Sequence, residues 1–167
     1  MQNAKDTFYL ALRSRLATLN PARQITLAGV TRPGILVEEN ETYSTQPPPD
    51  VFVLRWSGAT ADSWLPAMLE TQACEIFYWT CGSETNLQMD RGRALTEMDA
   101  ELAALLQPAQ AEKVAVNGSS NTAMNTNVFW LDPVYGAVKR EQERLQRTAA
   151  VQVFSLREWL SDGSNEL

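Results

Sequence analysis

Two segments of the chain carry apolar residues at the spacing of one helical face. The positions in the first segment, residues 4–20, are Phe8, Leu12, Leu16 and Leu19. Those in the second, residues 87–107, are Leu87, Leu95, Met98, Leu102 and Leu105, with Arg91 on the same face. Steps of three and four residues place such side chains on one side of a helix. Each segment ends before a proline, whose preceding residue avoids helical geometry. The pattern therefore predicts two long amphipathic helices, the second of which has four acidic residues on its solvated sides: Asp90, Glu97, Asp99 and Glu101.

Short segments rich in β-branched and aromatic residues predict strands between and after these helices. The predicted strands are residues 24–30, 34–37, 51–56, 71–81, 111–116, 128–131 and 147–156. Turns or loops are predicted at residues 31–34, 57–62 and 82–86. The order helix, strands, helix, strands is typical of an α+β domain. We expect one α+β domain over residues 1–167, with a mixed or antiparallel sheet and two main helices packed on one face.

Three segments look loosely held. Residues 38–50 are acidic and end in three prolines and an aspartate, which favours an exposed, stiff spacer. A segment that binds a proline-recognition domain would need a longer motif. Residues 117–127 have almost no apolar side chains to anchor them. We expect mobile loops near 38–50 and 117–127 and a frayed tail from about residue 157.

The strand predicted at residues 71–81 is largely apolar on both faces. One face should pack on the helices, and the other could meet a second protein layer. Its two cysteines, Cys74 and Cys81, are seven residues apart, so alternation along a strand places them on opposite faces. We therefore expect reduced thiols rather than a disulfide.

The formal net charge is −6, which repels phosphate and argues against nucleic-acid binding. Basic residues do gather at 139–147, but Glu141 and Glu143 interrupt them, which is typical of a solvated charged face. The N-terminus has no apolar signal core. No run approaches the ~18 apolar residues of a membrane span. We expect a soluble, intracellular protein with no membrane partner and no sequence-specific nucleic acid.

The sequence contains no histidine, which removes the common nucleophile–base pairs and the usual zinc and iron ligand sets. Its eight glycines are scattered and form no phosphate-binding loop. Carboxylates remain as candidate chemistry. The nearest cluster is Glu38, Glu39, Glu41 and Asp50, in a predicted loop. Glu75 interrupts an apolar strand, where an edge-facing or subunit-paired acid is the expected role. We expect no catalytic activity, no cofactor and no metal site.

In the order of these elements and the kinds of residue that form them, most of residues 4–156 resemble the tail-terminator, or tail-completion, proteins of long-tailed bacteriophages. The likeness rests on the first helix, the segment 49–53, the aromatic strand 75–79, the helix around 90–102 and the strand around 147–153. The chain is longer than the smallest members, and residues 117–127 look like an insertion.

The resemblance implies a sheet-plus-helices domain that assembles into a six-membered ring. Such a ring caps the tail tube, ends its elongation and joins the tail to the head. The implied partners are copies of the chain itself, tail-tube proteins and head-connector proteins. The implied location is the virion, and the bacterial host cytoplasm during assembly.

Two other functions compete with this one. The first is a non-catalytic binding module or adaptor that recognises a peptide or small ligand, and the second is an enzyme that uses carboxylates alone, with Glu39 or Glu75. Exposed aromatic and arginine side chains dominate interface energetics. The candidate interface residues are Arg55, Trp56, Glu75, Trp79, Trp130 and Tyr135. For each tryptophan the alternative is that it fills the core.

Overall fold

The structure is a computed structural model, and it describes residues 2–40, 46–62, 67–107, 116–117, 122–123 and 127–158. Two α-helices occur in this part of the chain, α1 (Gln2–Leu19) and α2 (Arg91–Leu105). The strands before α2 are β1 (Gln24–Leu27), β2 (Val30–Pro33), β3 (Ile35–Val37), β4 (Phe52–Asp62) and β5 (Ala67–Thr80). Those after it are β6 (Val116–Asn117), β7 (Thr122–Ala123), β8 (Asn127–Trp130), β9 (Val134–Tyr135), β10 (Lys139–Glu141) and β11 (Arg144–Glu158). This composition confirms the predicted α+β class.

A seven-stranded sheet forms the centre of the described structure. Its order is β10-β11-β5-β4-β3, and β8 and β9 also pair with β11. Only the β3–β4 pair of this sheet is parallel among the described residues, so the sheet is mixed. The longest pairing joins β5 to β11, from Leu145 opposite Thr80 to Glu158 opposite Ala67.

Both helices pack on the same face of this sheet, as the sequence predicted. The buried residues of α1 are Ala4, Thr7, Phe8, Leu12 and Leu16, and those of α2 are Leu95, Met98, Leu102 and Leu105. The sheet residues that they meet are mainly Phe52, Leu54, Cys74, Ile76, Tyr78, Ala149, Val151 and Val153. Alternation along the strands turns all of these side chains toward the helices. We call this side of the sheet the helix face and the opposite side the outer face.

Aromatic rings fix the position of α1 on the helix face. The ring centroid of Phe8 lies 5.1 Å from that of Trp130 and 5.9 Å from that of Trp56, in edge-to-face geometry. The indole nitrogen of Trp130 donates a hydrogen bond of 3.1 Å to the carbonyl oxygen of Leu106, just after α2. Trp130 therefore links α1, β8 and the end of α2.

A hairpin of β1 and β2 covers part of the outer face. Ile25 packs with Leu36, Val51 and Val53 in a second, smaller core. The turn lies at Ala28 and Gly29, which have φ angles of 48° and 82°, so the prediction of a turn at 31–34 is wrong. A two-residue hairpin turn needs positive φ, and Gly29 supplies it at little steric cost.

The strand β4 is longer than the sequence predicted. Residues 57–62, expected to be a loop, continue β4 alongside β5 after a bulge between Trp56 and Gly58. All six of these side chains are exposed. Their strand conformation comes from backbone pairing rather than from burial, so the hydrophobic pattern gave no sign of it.

Two features of the predicted helices are also corrected. The second helix begins at Arg91 rather than at residue 87, because a 3-10 turn (Glu84–Asn86) comes first and Leu87 has a left-handed φ of 50°. Leu19 was placed on the buried face of the first helix, but it is 50% exposed. The buried stripe of α1 runs in steps of four through Leu16, which turns Leu19 aside.

The segment 38–50 is anchored at its end. Pro47 is buried, and its carbonyl oxygen accepts a 3.0 Å hydrogen bond from the indole nitrogen of Trp79. The backbone N–H of Asp50 donates to the carbonyl oxygen of Trp79 at 2.9 Å. The expectation of an exposed spacer is thus wrong for this part. Parts of four predicted segments lie outside the described residues: 41–45 of the loop 38–50, 111–115 of the strand 111–116, most of the loop 117–127, and 159–167 of the tail from about 157. Arg157 and Glu158, expected in the tail, are the last residues of β11.

Replacing Phe8 by alanine removes a fully buried ring that contacts two tryptophans. We expect the free energy of unfolding to fall by about 3–5 kcal/mol, the range for aromatic-to-alanine changes in cores. Leu19→Ala, on the same helix, is the matched control and should change stability by no more than ~0.5 kcal/mol. Chemical denaturation measures both. Equal losses in the two variants would contradict the core position of Phe8.

Candidate interaction surface

The outer face carries a row of charged and small side chains across its centre. Arg55, Glu75, Ala150 and Val134 are successive cross-strand neighbours on β4, β5, β11 and β9. Arg55 lies over the ring of Phe77, with its guanidinium carbon 4.9 Å from the ring centroid. The row therefore presents polar groups and small apolar groups on the part of the outer face that the β1–β2 hairpin does not cover.

Ion pairing holds Arg55 in this position. Its Nε lies 2.9 Å from Oε1 of Glu38, and both side chains are partly exposed. Such a pair contributes little to stability, because water screens it. The ion pair instead fixes the direction of the guanidinium over Phe77, where a cation–π contact also holds it.

The β4 strand offers a free edge beside this row. Strand β3 pairs only with residues 52–54, and no other described strand pairs with that side of β4. Beyond Trp56 the edge consists of Ser57, Gly58, Ala59, Thr60, Ala61 and Asp62. Proteins usually protect exposed edges with lysine, proline or bulges. Here the bulge lies at the start of the segment and one charge, Asp62, lies at its end, so the stretch between them can accept another strand.

A hydrogen-bonded network on the helix face ties α2 to the sheet through Asp99. Its carboxylate accepts a 2.5 Å hydrogen bond from the Tyr78 hydroxyl and another of 2.5 Å from Arg147. The Tyr135 hydroxyl donates to the backbone carbonyl oxygen of Asp99 at 3.0 Å. Asp99 was predicted to lie on the solvated side of the helix, and the structure corrects this.

The two tyrosines of this network are hydrogen-bond donors at neutral pH. Burial, followed by the hydrogen bond to Asp99, raises the pKa of Tyr78 above its usual range. Burial raises the pKa of Tyr135 to about 12. Both hydroxyls therefore keep their protons near neutrality and can donate to Asp99. The network is therefore an arrangement for holding α2 in place.

A second link joins α2 to the chain after α1. Glu101 was also predicted to be solvated, but its carboxylate lies 2.9 and 3.0 Å from Nε of Arg23. Asn20 donates to the same carboxylate at 3.2 Å. Charged groups at the flank of a helix can thus face a neighbouring element even when the periodic pattern assigns them to solvent.

Glu41 of the predicted acidic cluster lies outside the described residues, and the structure places the other three carboxylates beside different partners. Glu38 pairs with Arg55, and Glu39 lies 3.7 Å from Lys5 of α1. Asp50 lies beyond the other end of the β3–β4 pairing, next to Trp79. Within the described ranges no group of three or more acidic or thiol side chains could hold a metal ion.

Two of the four basic residues at 139–147 are paired with acids. Arg144 forms an ion pair with Glu141, and Arg147 pairs with Asp99 on the helix face. Glu143 lies 3.5 Å from Arg91 of α2. Lys139 and Arg140 are exposed, which agrees with a solvated charged face for that part of the stretch.

The six predicted interface residues divide between the two faces of the sheet. Arg55 and Glu75 lie side by side on the outer face, and Glu75 is exposed. Trp56 turns to the helix face, where it is half-buried between Phe8 and Lys5. Trp79 also lies on the outer face, and Trp130 and Tyr135 lie on the helix face, but all three have packing partners.

Trp130 is in the core with 1% of its surface exposed, so it offers no surface to a neighbour. Trp79 is 8% exposed, lies under Arg144 and donates to Pro47. Tyr135 is half-buried over Asp99. Each of these three residues has a structural role within the chain, because each has a specific packing or hydrogen-bonding partner.

Sequence reasoning missed two exposed features. One is the free edge at residues 57–62, whose small side chains carry no periodic signal. The other is the loop 83–90, where Leu87 and Met89 are 79% and 85% exposed. A signal for this loop was present in the Ser83–Asp90 segment, because serine and aspartate favour turns and caps over helix interiors.

Neither α1 nor α2, the two α-helices in the described part of the chain, has the length and apolar character needed to cross a membrane. Comparison with protein-family models and with curated protein sequences finds no match to this chain. The functional argument therefore rests on the surfaces described above.

Changing Asp99 to asparagine removes the charge that accepts hydrogen bonds from Tyr78 and Arg147. We expect unfolding free energy to fall by about 1.5–3 kcal/mol, the range for hydrogen bonds to charged groups. Glu97→Gln, an exposed acid two residues earlier, is the matched control and should have little effect. Thermal and urea unfolding measure both. If Asp99→Asn unfolded at the same temperature and urea concentration as the wild-type protein, the proposed role of Asp99 in holding α2 would be contradicted.

The two cysteines, which are both free, should differ in reactivity. Burial raises the pKa of Cys74 to about 12, so it stays a protonated, enclosed thiol near neutrality. Cys81 is half-buried. A thiol reagent should modify Cys81 in the folded protein, and both cysteines only in denaturant. Mass spectrometry of the labelled peptides measures this, and Cys81→Ser should abolish labelling of the folded protein. Equal labelling rates would contradict the burial of Cys74.

Proposed function

We propose that this chain is a structural assembly protein that acts by binding copies of itself and neighbouring proteins. In the setting that its sequence resembles, the assembly is a ring in the virion that caps a phage tail tube, ends its elongation and joins the tail to the head. The observation that supports this proposal is the free edge of β4 at residues 57–62.

The composition of this edge suits close approach by another backbone. An incoming strand forms main-chain hydrogen bonds along the edge, and its specificity comes from the side chains alongside. Gly58, Ala59 and Ala61 are small, and a side chain built at Gly58 would meet no atom within 4 Å. The edge therefore presents backbone groups with little steric protection.

The neighbouring outer face would add orientation. Arg55 and Glu75 lie at the base of the edge segment, with opposite charges on adjacent strands. A partner strand that extends the sheet would pass beside this pair. Charges at the rim of an interface mainly set register and the rate of association.

The net charge is compatible with a ring that surrounds DNA. Positively charged walls would hold phosphate groups and slow the passage of DNA, whereas a chain with a net charge of −6 avoids this. We therefore place tail-tube and head-connector proteins, rather than nucleic acid, among its proposed partners.

The edge can be tested by introducing lysines. Ala59→Lys combined with Ala61→Lys adds protective charges to the edge segment, which should abolish pairing with another strand. Ala100→Lys with Ala103→Lys, on the exposed side of α2, adds the same charges elsewhere. Light scattering gives the molar mass, negative-stain images show rings, and cosedimentation measures binding to tail tubes.

We expect the wild-type protein and the α2 variant to form rings, alone or on tail tubes, and the edge variant to lose assembly, tube binding or both. Circular dichroism and thermal unfolding establish that the edge variant is folded. A wild-type protein that stays monomeric at every concentration and binds no tube would contradict the proposed function. Unchanged assembly and tube binding by a folded edge variant would exclude the edge as the binding surface.

The same edge favours a second candidate function, a binding module that recognises an extended peptide. Strand addition to a sheet edge is a common mode of peptide recognition. This alternative predicts a monomer that binds one peptide, and its melting temperature should rise with the logarithm of the peptide concentration once that exceeds the Kd. A peptide-library screen by thermal shift, repeated with the edge variant, distinguishes it from self-assembly.

A further inference from the structure

The free edge of β4 has a defined set of backbone hydrogen-bonding groups. Leu54 turns its carbonyl oxygen away from β5, since this oxygen accepts a 3.0 Å hydrogen bond from the backbone N–H of Glu38, just after β3. Alternate residues of a strand direct their backbone groups to the same side. The bulge in β4 adds one residue and moves this alternation from even-numbered to odd-numbered positions. Ala59 and Ala61 therefore direct their N–H and C=O groups to the free edge.

Two copies of this edge match each other in an antiparallel register centred on Thr60. Hydrogen-bonded pairs in an antiparallel ladder need outward-directed residues opposite each other. With a twofold axis at Thr60, Ala59 lies opposite Ala61 of the second copy, and Ala61 lies opposite Ala59. Centring the pairing on Ala59 would instead put Ala61 opposite the bulge. Centring it on Ala61 would put Ala59 opposite residue 63, beyond the end of β4.

The side chains of the edge permit this approach. Thr60 lies on the outer face, where it would meet Thr60 of the second copy, and threonine pairs across strands stabilise a sheet. Ala59 and Ala61, on the opposite face, are small and exposed. Residues 57–62 contain no lysine or proline, the residues that usually protect an edge. The edge itself therefore presents no obstacle to a second copy.

The charges on the outer face are self-complementary in this register. Asp62 lies opposite Gly58 of the second copy, where there is room, because a side chain built at Gly58 would meet no atom within 4 Å. Arg55 and Gly58 are successive outer-face positions of β4, since they lie opposite successive outer-face positions of β5. Diagonal neighbours across a strand pair are about 7–8 Å apart, within reach of a long side chain. Asp62 of each copy can therefore pair with Arg55 of the other.

Arg55 can bond to a second carboxylate while it remains paired with Glu38. Its Nε lies 2.9 Å from Glu38 Oε1, and 36% of its side chain is exposed. A guanidinium has several N–H donors, so one carboxylate does not use them all. Asp62 is exposed, and it is the one charged residue of the segment 57–62. Two reciprocal ion pairs would thus flank the axis, with no like charges opposite each other.

We propose that two copies of the chain pair symmetrically through residues 57–62 of β4, antiparallel and centred on Thr60, so that their sheets form one continuous sheet. This inference rests on the proposed function, whose binding edge it uses, and it names a second copy as the occupant of that edge in the free protein. The contact uses the edge of both copies, so it ends at a pair. Larger assemblies, including a ring, join such pairs through another surface.

Exchange of the two charges tests the ion pairs. Asp62→Arg and Arg55→Asp, made as separate proteins, each bring like charges together across the axis, and each should raise the dissociation constant of the pair at least about tenfold. An equal mixture of the two variants restores opposite charges at both positions and should associate about as tightly as the wild-type protein. Glu97→Arg, at an exposed position of α2, is the matched control and should associate normally. Analytical ultracentrifugation measures association.

Disulfide trapping tests the register. In a Cys81→Ser background, Thr60→Cys places the two new cysteines in a non-hydrogen-bonded pair with Cα atoms about 4.5 Å apart. This separation suits a disulfide, so mild oxidation should give a covalent dimer. Gly58→Cys is the matched control, because its two copies lie four residues apart along the strands, about 14 Å, and it should not cross-link. Circular dichroism establishes that every variant is folded.

The outcomes separate this pairing from the proposed function. If the wild-type protein assembles or binds tubes but Thr60→Cys cross-links no better than Gly58→Cys, the symmetric pairing is overturned and the proposed function stands. A mixture of the two charge variants that associates no better than either one alone would also overturn the pairing. A wild-type protein that stays monomeric and binds no tube would overturn both proposals.

Discussion

The antiparallel pairing of β5 with β11 is the constraint on which the rest of this structure depends. It runs without a break from Leu145 opposite Thr80 to Glu158 opposite Ala67. Because side chains alternate along both strands, one register determines the whole helix face and the whole outer face. A shift of one residue would expose Cys74 and Ile76 and would bury Glu75, so the core and the candidate surface are specified together.

The same pairing explains why the protein has an exposed edge. Strand β4 follows β5 to Asp62 although its last six residues are all exposed. These six residues contribute nothing to the core, so the core alone does not require them. An unprotected edge carries a risk of aggregation, which pairing with another strand in the proposed assembly would remove.

Much of the fold could be predicted from periodicity. The two helices, their common face and most of the long strands follow from where leucine, valine and aromatic residues recur. The candidate surface was predicted less well. Arg55 and Glu75 were identified together on the strands, but Trp130 proved to be core, because a large ring with one polar atom can be buried when a carbonyl such as that of Leu106 accepts its hydrogen bond. Exposure of a single aromatic residue cannot be decided from sequence without its partner.

The sequence by itself determined the α+β class, the amphipathic faces of the helices and the absence of histidine chemistry, because these depend on local spacing and on residue identity. The tertiary structure decided where β4 ends, where α2 begins and which charged groups are solvated. Residues 57–62 are a strand because β5 lies beside them, Leu87 is outside the helix because Asp90 binds back to Ser83, and Asp99 is enclosed because Tyr78 and Arg147 approach it from the sheet. Each of these results from a contact between segments distant in the sequence or from competition with a local hydrogen bond, and neither appears in the periodicity of one segment.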